Sequence, residues 1–387
     1  MRTFGKWLGR VLLALLLAAV VVGLWKRDEL MRLWAVNSLF SESRIVSNFS
    51  HMDKAFLTTP VPRGTSPAID LPRGETASLP AGTDAWIRDR ALTSLLVLKD
   101  GKIVYEDYFL GTTPDDRRIS WSLAKSYLST LFGVLLSEGA IASLDDPVTR
   151  YAPRLKGSAY DGASIRNVLN MASGVTFDED YLDYNSDINR MGRVVALGRE
   201  LDDFTIALKD RFIEPGKQWQ YVSIDTHVIG MVIRGATGRS VPDLLAEKIM
   251  SPLGMEREAY YITDGAGVAF VLGGLNITTR DYARFGLMVQ QDGSYNGQQV
   301  VPRDWIEAST APSAPTAPGK IGYGYQWWIP VGAEPGEVLG RGIYGQYLYI
   351  DRARGVVIVV TAADRRFRDP GVNEGNIEAM RAIARGL

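Results

Sequence analysis

With 387 residues, 46% of them hydrophobic, the chain is long enough to bury a large core in one or two domains. Its 43 basic and 44 acidic side chains nearly cancel and lie interspersed, which leaves no basic footprint for nucleic acid. The absence of cysteine excludes a thiol nucleophile and any disulfide, and the two histidines, His51 and His227, are too few and too far apart for a histidine metal site.

The first element is apolar. Arg2, Lys6 and Arg10 precede an uncharged run from Val11 to Trp25. That run is shorter than the ~20 residues a helix needs to cross a bilayer, but Trp7, Leu8 and snorkelling of Arg10 and Lys26 extend its reach. Val21-Val22-Gly23 makes a poor cleavage site, so an uncleaved signal anchor over residues 1–25 is preferred to a cleaved peptide. Lys26, Arg27 and Arg32 nearly balance the basic residues before the run, so charge alone leaves orientation open. The expected setting is the inner membrane, with a single-pass anchor and a periplasmic catalytic domain.

Residues 26–84 are irregular by pattern and rich in proline, at positions 60, 62, 67, 72 and 80; they read as a linker wrapping the domain that follows over 85–387. Ser94 to Leu98 and Ile103 to Phe109 are β-rich runs joined by Lys99-Asp100-Gly101-Lys102, a hairpin signal. From about 140 to 310 the pattern is mainly helical, with Ser164 to Met171, Asp225 to Ala236 and Val241 to Ile249 as examples. Strand signals return over Tyr323 to Ile329, Gly345 to Ile350 and Val356 to Thr361, and a helix from Asn373 to Ala384 follows. Strands at both ends around a helical middle predict an α+β fold, one antiparallel sheet with a helical region inserted into it.

Ser122-Leu123-Ala124-Lys125 is the one Ser-x-x-Lys in the chain, at the expected start of the apolar helix Leu123 to Leu136. A serine there lies near the positive end of the helix dipole, and the lysine one turn on shares its face, which pairs a nucleophile with a base. The motif alone carries little, since a chain this long holds roughly one by chance. Two further segments supply partners. Tyr221, after Glu214-Pro215-Gly216-Lys217, carries a hydroxyl that a nearby lysine would help to ionise. Gly340-Arg341-Gly342-Ile343-Tyr344-Gly345-Gln346 enters a strand whose edge N–H, with that of Ser122, can form an oxyanion hole. A Ser-His-Asp triad is disfavoured: there is no Gly-x-Ser-x-Gly elbow, and His227 is isolated on a helix. There is no Walker A, and the Gly-x-Gly-x-x-Gly spacing of Gly340 to Gly345 enters a strand instead of opening a helix, so no nucleotide cofactor is expected.

In chain order these pieces resemble the penicillin-recognising serine hydrolases, in their class C β-lactamase-like branch. Carrying the resemblance are Leu144-Asp145-Asp146-Pro147-Val148 after Ser137-Glu138-Gly139, then Asn170-Met171-Ala172-Ser173-Gly174 and Pro252-Leu253-Gly254-Met255. Gly273-Gly274-Leu275-Asn276 and Arg280-Asp281-Tyr282-Ala283-Arg284-Phe285-Gly286 add to it, over roughly 85 to 385. Within the branch, Asp178-Glu179-Asp180-Tyr181, Gly342 to Gln346 and Asn48-Phe49 to Met52-Asp53 look like the nylon-oligomer (aminohexanoate-dimer) hydrolases and related carboxylesterases.

The resemblance implies a β-lactamase/transpeptidase-like fold and an acyl-enzyme on Ser122, with Lys125 and Tyr221 in acid-base roles and the Ser122 and Ile343 N–H groups as the oxyanion hole. It implies substrate contacts at Tyr181, Ser223, Gly342 and Trp328, with Tyr181 closing over the leaving group; Trp121, Tyr184 and Trp219 are further candidates for the pocket wall. No metal or cofactor is implied, and the partner expected is a small ester or amide. Two departures stand out: Ser223 replaces the asparagine of Tyr-x-Asn, and Gly340 replaces the lysine of Lys-Thr-Gly, which weakens recognition of a β-lactam carboxylate. Arg341 substitutes for that lysine only if its strand register turns it inward. The alternatives are a penicillin-binding D-amino-acid peptidase, a β-lactamase, or a silent membrane-anchored binding domain.

Overall fold

Apolar strands from opposite ends of the chain pair at the centre of the molecule. The computed structural model describes residues 2–65 and 67–387, the side chains of residues 2, 3 and 28 excepted; the first residue of the expected anchor and Ser66 of the expected linker lie outside it. The elements that position the site are strands β1 (Leu57–Val61), β2 (Leu92–Lys99), β3 (Lys102–Tyr108), β4 (Arg118–Ile119), β5 (Ala259–Thr263) and β6 (Leu275–Ile277). They continue with the small hairpin β7 (Ser294–Tyr295) and β8 (Gln298–Gln299), then β9 (Gly322–Gly324), β10 (Trp327–Ile329), β11 (Glu337–Gly342), β12 (Gln346–Asp351) and β13 (Val356–Ala362).

The larger sheet is seven-stranded and antiparallel, in the order β3-β2-β13-β12-β11-β10-β9. Val97 opposes Ile358 where the two ends of the chain meet, and Leu339 opposes Tyr349 further along. Every residue of β13, and Leu92 to Leu98 of β2, is buried, so helices cover both faces of the sheet. This is why these strands read as unbroken apolar runs instead of alternating ones. Helices packed on an antiparallel sheet built from both chain ends make this an α+β fold.

A second sheet, in the order β1-β5-β6-β4, stands beside the first. Its edge strand β1 belongs to the stretch that is irregular by sequence pattern; Pro60 is tolerated there because an edge strand need not donate at every position. The same stretch forms helices α2 (Arg27–Asn37) and α3 (Ile45–Ser50), too short for periodicity to reveal. Ahead of them, α1 (Arg2–Trp25) holds an apolar span of 22 residues, Phe4–Trp25, long enough to cross a membrane and unburied. It exceeds the uncharged run because Lys6 and Arg10 are accommodated within the helix.

α4 (Ala124–Ser137) runs through the centre, buried from Ala124 to Leu135. α5 (Ser223–Thr237) packs beside it, α6 (Thr279–Gln290) lies against β2, β12 and β13, and α7 (Val372–Arg385) completes the helices named here. The Ser-x-x-Lys segment does not start α4 directly. Ser122 occupies a 3₁₀ turn, Trp121–Leu123, that hangs from β4 and is held by the Ser120 N–H donating to the Leu275 carbonyl at 2.8 Å.

Candidate active site

The turn that presents Ser122 is strained and braced. Trp121 has φ +44° and Tyr344, next to Ile343, has φ +59°. Left-handed backbone at bulky residues costs about 1–3 kcal/mol each and persists only where the surroundings enforce it. Here an aromatic cluster does so. Phe49 meets Trp121 and Tyr344 edge-on at 5.5 and 5.4 Å, and Phe40 stacks on Tyr344 at 5.0 Å with the rings 10° apart. Buried Arg118, four residues before the serine, ties the same segment down by donating to the Val46 carbonyl at 2.6 Å and to Ser50 Oγ at 2.9 Å. Residues 38–52 therefore form the underside of the Ser122 turn.

Lys125 is buried, with 1% exposure, and its Nζ donates to Ser122 Oγ at 3.0 Å and to the Leu272 carbonyl at 2.8 Å. The Tyr221 ring faces the ammonium at 5.3 Å from its centroid. Burial drives the lysine pKa down to about 7, against the partial counter-pull of Glu179 and Asp225. A lysine held down in this way can give up its proton near neutrality, and its lone pair can then take a proton from the serine. Tyr221 moves the other way: burial foremost, then Glu179, push its phenol above the ordinary value, while a hydrogen bond with Ser122 and the charge of Arg341 partly offset them. It stays protonated near neutrality, a donor instead of an acceptor.

Sequence reasoning passed over Glu179 as a site residue. Its carboxylate accepts from the Ser223 N–H and, at 3.2 Å, from Ser223 Oγ, and it also hydrogen-bonds the Tyr181 side chain. Burial raises its pKa. The signal was an acidic residue two before Tyr181, but only the fold turns that carboxylate inward. Asp225, deeper still, accepts from the Tyr160 hydroxyl at 2.7 Å, and burial lifts it to about 8.

Ser122 opens into a cavity of about 1080 Å³ whose walls include Tyr181, Trp219, Tyr221, Trp328, Gly342 and Ile343. Trp328 stacks on Tyr221 at 5.1 Å, and the Arg341 guanidinium lies 4.6 Å over Trp328, held by Asn373 Oδ1 at 2.8 Å. The strand register thus turns Arg341 toward the cavity. Three other candidates sit elsewhere. Ser223 is 1% exposed and engages Glu179, Trp121 belongs to the bracing cluster, and Tyr184 stands in solvent at 70% exposure. His227 is buried and accounted for, its Nε2 2.7 Å from Asp202, a carboxylate that Arg234 also holds. Among the described residues, no three acidic or histidine side chains converge as a metal site requires.

Gly342 is where β11 comes closest to the nucleophile turn: an added Cβ would lie 2.4 Å from the Ser120 carbonyl oxygen and 3.1 Å from Trp121 Cβ. Gly342→Ala is expected to push Ile343 away from Ser122. The melting temperature should fall by several degrees, corresponding to an overpacking cost of about 1–3 kcal/mol. Ester turnover should fall by more than the stability loss explains, and equal turnover per folded molecule would refute the close-approach role.

Comparison with known proteins places this geometry. A family model described as beta-lactamase matches residues 86–379. A 6-aminohexanoate-dimer hydrolase of Paenarthrobacter ureafaciens is 33% identical over 324 residues, 80% of each chain. Among solved structures, a candidate 6-aminohexanoate-dimer hydrolase from Bacillus anthracis superposes with a TM-score of 0.78 at 24% identity, covering 89% of this chain and 95% of that one. A family VIII carboxylesterase superposes with a TM-score of 0.58 at 17% identity, covering 81% and 100%.

Proposed function

The chain belongs to the beta-lactamase family, a family of hydrolases, and on that premise we propose that it cleaves a carboxylic ester or amide through an acyl-enzyme on Ser122. The observation that carries this reading is the buried Lys125, 3.0 Å from Ser122 Oγ and with its pKa near 7, at the floor of an aromatic-walled cavity. Ser122 Oγ attacks the carbonyl carbon while its proton passes to the neutral amine of Lys125. The N–H groups of Ser122 and Ile343 donate to the oxyanion, each worth about 3 kcal/mol in comparable sites. Tyr221, still a phenol, protonates the leaving oxygen or nitrogen and is restored by the proton that Lys125 took from the serine; water then enters by the reverse path to release the acid. The opposed pKa displacements of Lys125 and Tyr221 favour the lysine as base and the tyrosine as acid. Glu179 holds Ser223 and Tyr181 in place beside them.

Esters and amides are favoured over β-lactams because a side chain at position 340 has little room: a Cβ there would already meet Leu123 Cγ at 3.2 Å and Ser126 Oγ at 3.3 Å. The relative from Paenarthrobacter ureafaciens, named as a hydrolase of a 6-aminohexanoate dimer, supports the same choice. We also propose that α1 is an uncleaved single-pass anchor holding the catalytic domain at the inner membrane on its periplasmic side, supported by the length and exposure of its apolar span. The test of substrate class is a panel of nitrophenyl esters, linear amides and a chromogenic cephalosporin. Ester or amide turnover should dominate. Efficient cephalosporin turnover would reassign the protein as a β-lactamase, and labelling by a fluorescent penicillin with little ester turnover would reassign it as a cell-wall peptidase.

A further inference from the structure

The segment that follows the apolar helix leads straight to the catalytic cavity. α2 starts two residues after Trp25, spans 11 residues and so covers ~16 Å, and Phe40 follows three residues after its end. Phe40 stacks on Tyr344, whose chain neighbours Ile343 and Gly345 line the cavity. Even with α2 upright and Lys26 and residues 38–40 fully stretched, the cavity wall lies no more than roughly 35 Å from the end of the apolar span. With α2 lying flat it is much closer.

The exposed side chains argue for flat. Leu30, Met31 and Trp34, at 53, 55 and 62% exposure, share one face of α2 next to Trp25 at 77%. The Arg44 guanidinium covers the Trp34 ring at 4.5 Å, the aromatic-and-cation pairing that suits a headgroup layer. α2 contacts the helix Asp187–Ala196, and the loop entering that helix carries Tyr181 of the cavity wall followed by two exposed side chains, Leu182 at 84% and Tyr184 at 70%, the Tyr184 ring covered on one face by the Arg193 guanidinium at 4.0 Å. Against this loop lies the basic run Arg365-Arg366-Phe367-Arg368, its Arg368 paired with Asp180 at 3.0 Å. Its Phe367 bridges Tyr344 at 4.6 Å and Tyr181 at 6.4 Å, while its ion pairs to Glu42 and Asp180 are solvent-exposed and therefore weak. Apolar tips, basic run and tether thus lie on one side of the molecule, where Tyr181, Phe367 and Arg368 wall the cavity, and exposed apolar groups so placed call for a covering surface.

We propose that the catalytic cavity opens at the bilayer surface, with α2, Leu182 and Tyr184 seated among the headgroups, so that the enzyme takes an amphiphilic acyl ester or amide directly from the membrane. The inference rests on the hydrolase and anchor readings above. Hydrolysis of such a substrate leaves its acyl chain on Ser122 Oγ, releases the alcohol or amine with a proton from Tyr221, and returns the fatty acid on attack by water.

The chain lacks cysteine, so single cysteines report position cleanly. Full-length protein carrying Trp34→Cys, Leu182→Cys or, as control, Ser137→Cys is labelled with an environment-sensitive nitrobenzoxadiazole and reconstituted in vesicles of equal parts phosphatidylethanolamine and phosphatidylglycerol. Ser137 ends α4, ~21 Å along that helix from the catalytic turn. Labels at 34 and 182 should shift to the blue and be quenched by lipid-borne nitroxide, and the label at 137 should do neither. In parallel, Leu182→Glu should lower turnover of a long-chain acyl nitrophenyl ester in the same vesicles about tenfold and leave soluble nitrophenyl acetate unchanged. Protein that resists alkaline carbonate extraction, yet shows aqueous labels at 34 and 182 and full vesicle activity for Leu182→Glu, would overturn the inference and leave the anchor standing. Protein washed off by carbonate would overturn the anchor reading and the inference with it.

Discussion

Ser122→Ala is expected to reduce kcat/KM on the best ester of the panel by a thousandfold or more, of the order seen when the nucleophile of a serine hydrolase is removed. The residual rate would reflect the oxyanion donors and the cavity alone. Because the Ser122 hydroxyl is a small group at a cavity floor, its loss should leave the fold intact, and the melting curve checks this. The variant should also fail to react with a fluorophosphonate probe that labels the wild type. Undiminished turnover in well-folded Ser122→Ala would remove the acyl-enzyme mechanism altogether, whichever substrate proves best.

The second large effect concerns proton transfer. With Lys125 titrating near 7 and active only as the free amine, kcat/KM should rise with pH through that value. Below it, activity should fall about tenfold per pH unit, because each unit lowers the free-amine fraction tenfold. Lys125→Met should lose about 10²–10⁴-fold in kcat/KM and flatten this limb. Since the lysine is buried against its own desolvation, methionine of similar length should keep or raise the melting temperature, which separates a catalytic loss from a folding defect. Glu179→Gln gives the sign its sharpest check. The Glu179 carboxylate raises the lysine pKa, so removing its charge should move the rising limb to lower pH. A shift upward, or a limb that survives Lys125→Met, would assign the titration to another group.

Much of this architecture was legible in the chain. Strands of Val, Leu and Ile at both ends, turn residues between them and a long apolar helix after Ser122 are local signals, and β2, β3, β12, β13 and α4 sit where those signals place them, whereas the run Tyr323 to Ile329 divides into β9 and β10 and the mainly helical stretch 140–310 also holds β5 to β8. The helix period likewise set Lys125 one turn above Ser122. Other parts left no local trace. α2 and α3 are too short to show a period, and Phe40 and Phe49 look like any aromatic residues of a proline-rich stretch until they are found beneath Trp121 and Tyr344. Tyr184 and Trp121 read as pocket candidates for the same reason in reverse, since aromatic character does not say which way a ring points.

By itself, then, the sequence determined the Ser122–Lys125 spacing, the apolar strands at the two chain ends, the long helix between them, and a glycine where β11 meets the Ser122 turn. Only the tertiary structure decided that burial lowers the Lys125 pKa, that Glu179 faces inward, and that the segment after the apolar helix packs beneath Trp121 and Tyr344. The division has one physical cause. Spacing along a helix or strand follows from backbone geometry within a few residues, whereas a pKa or a strained backbone depends on which distant side chains exclude water and fill space around it.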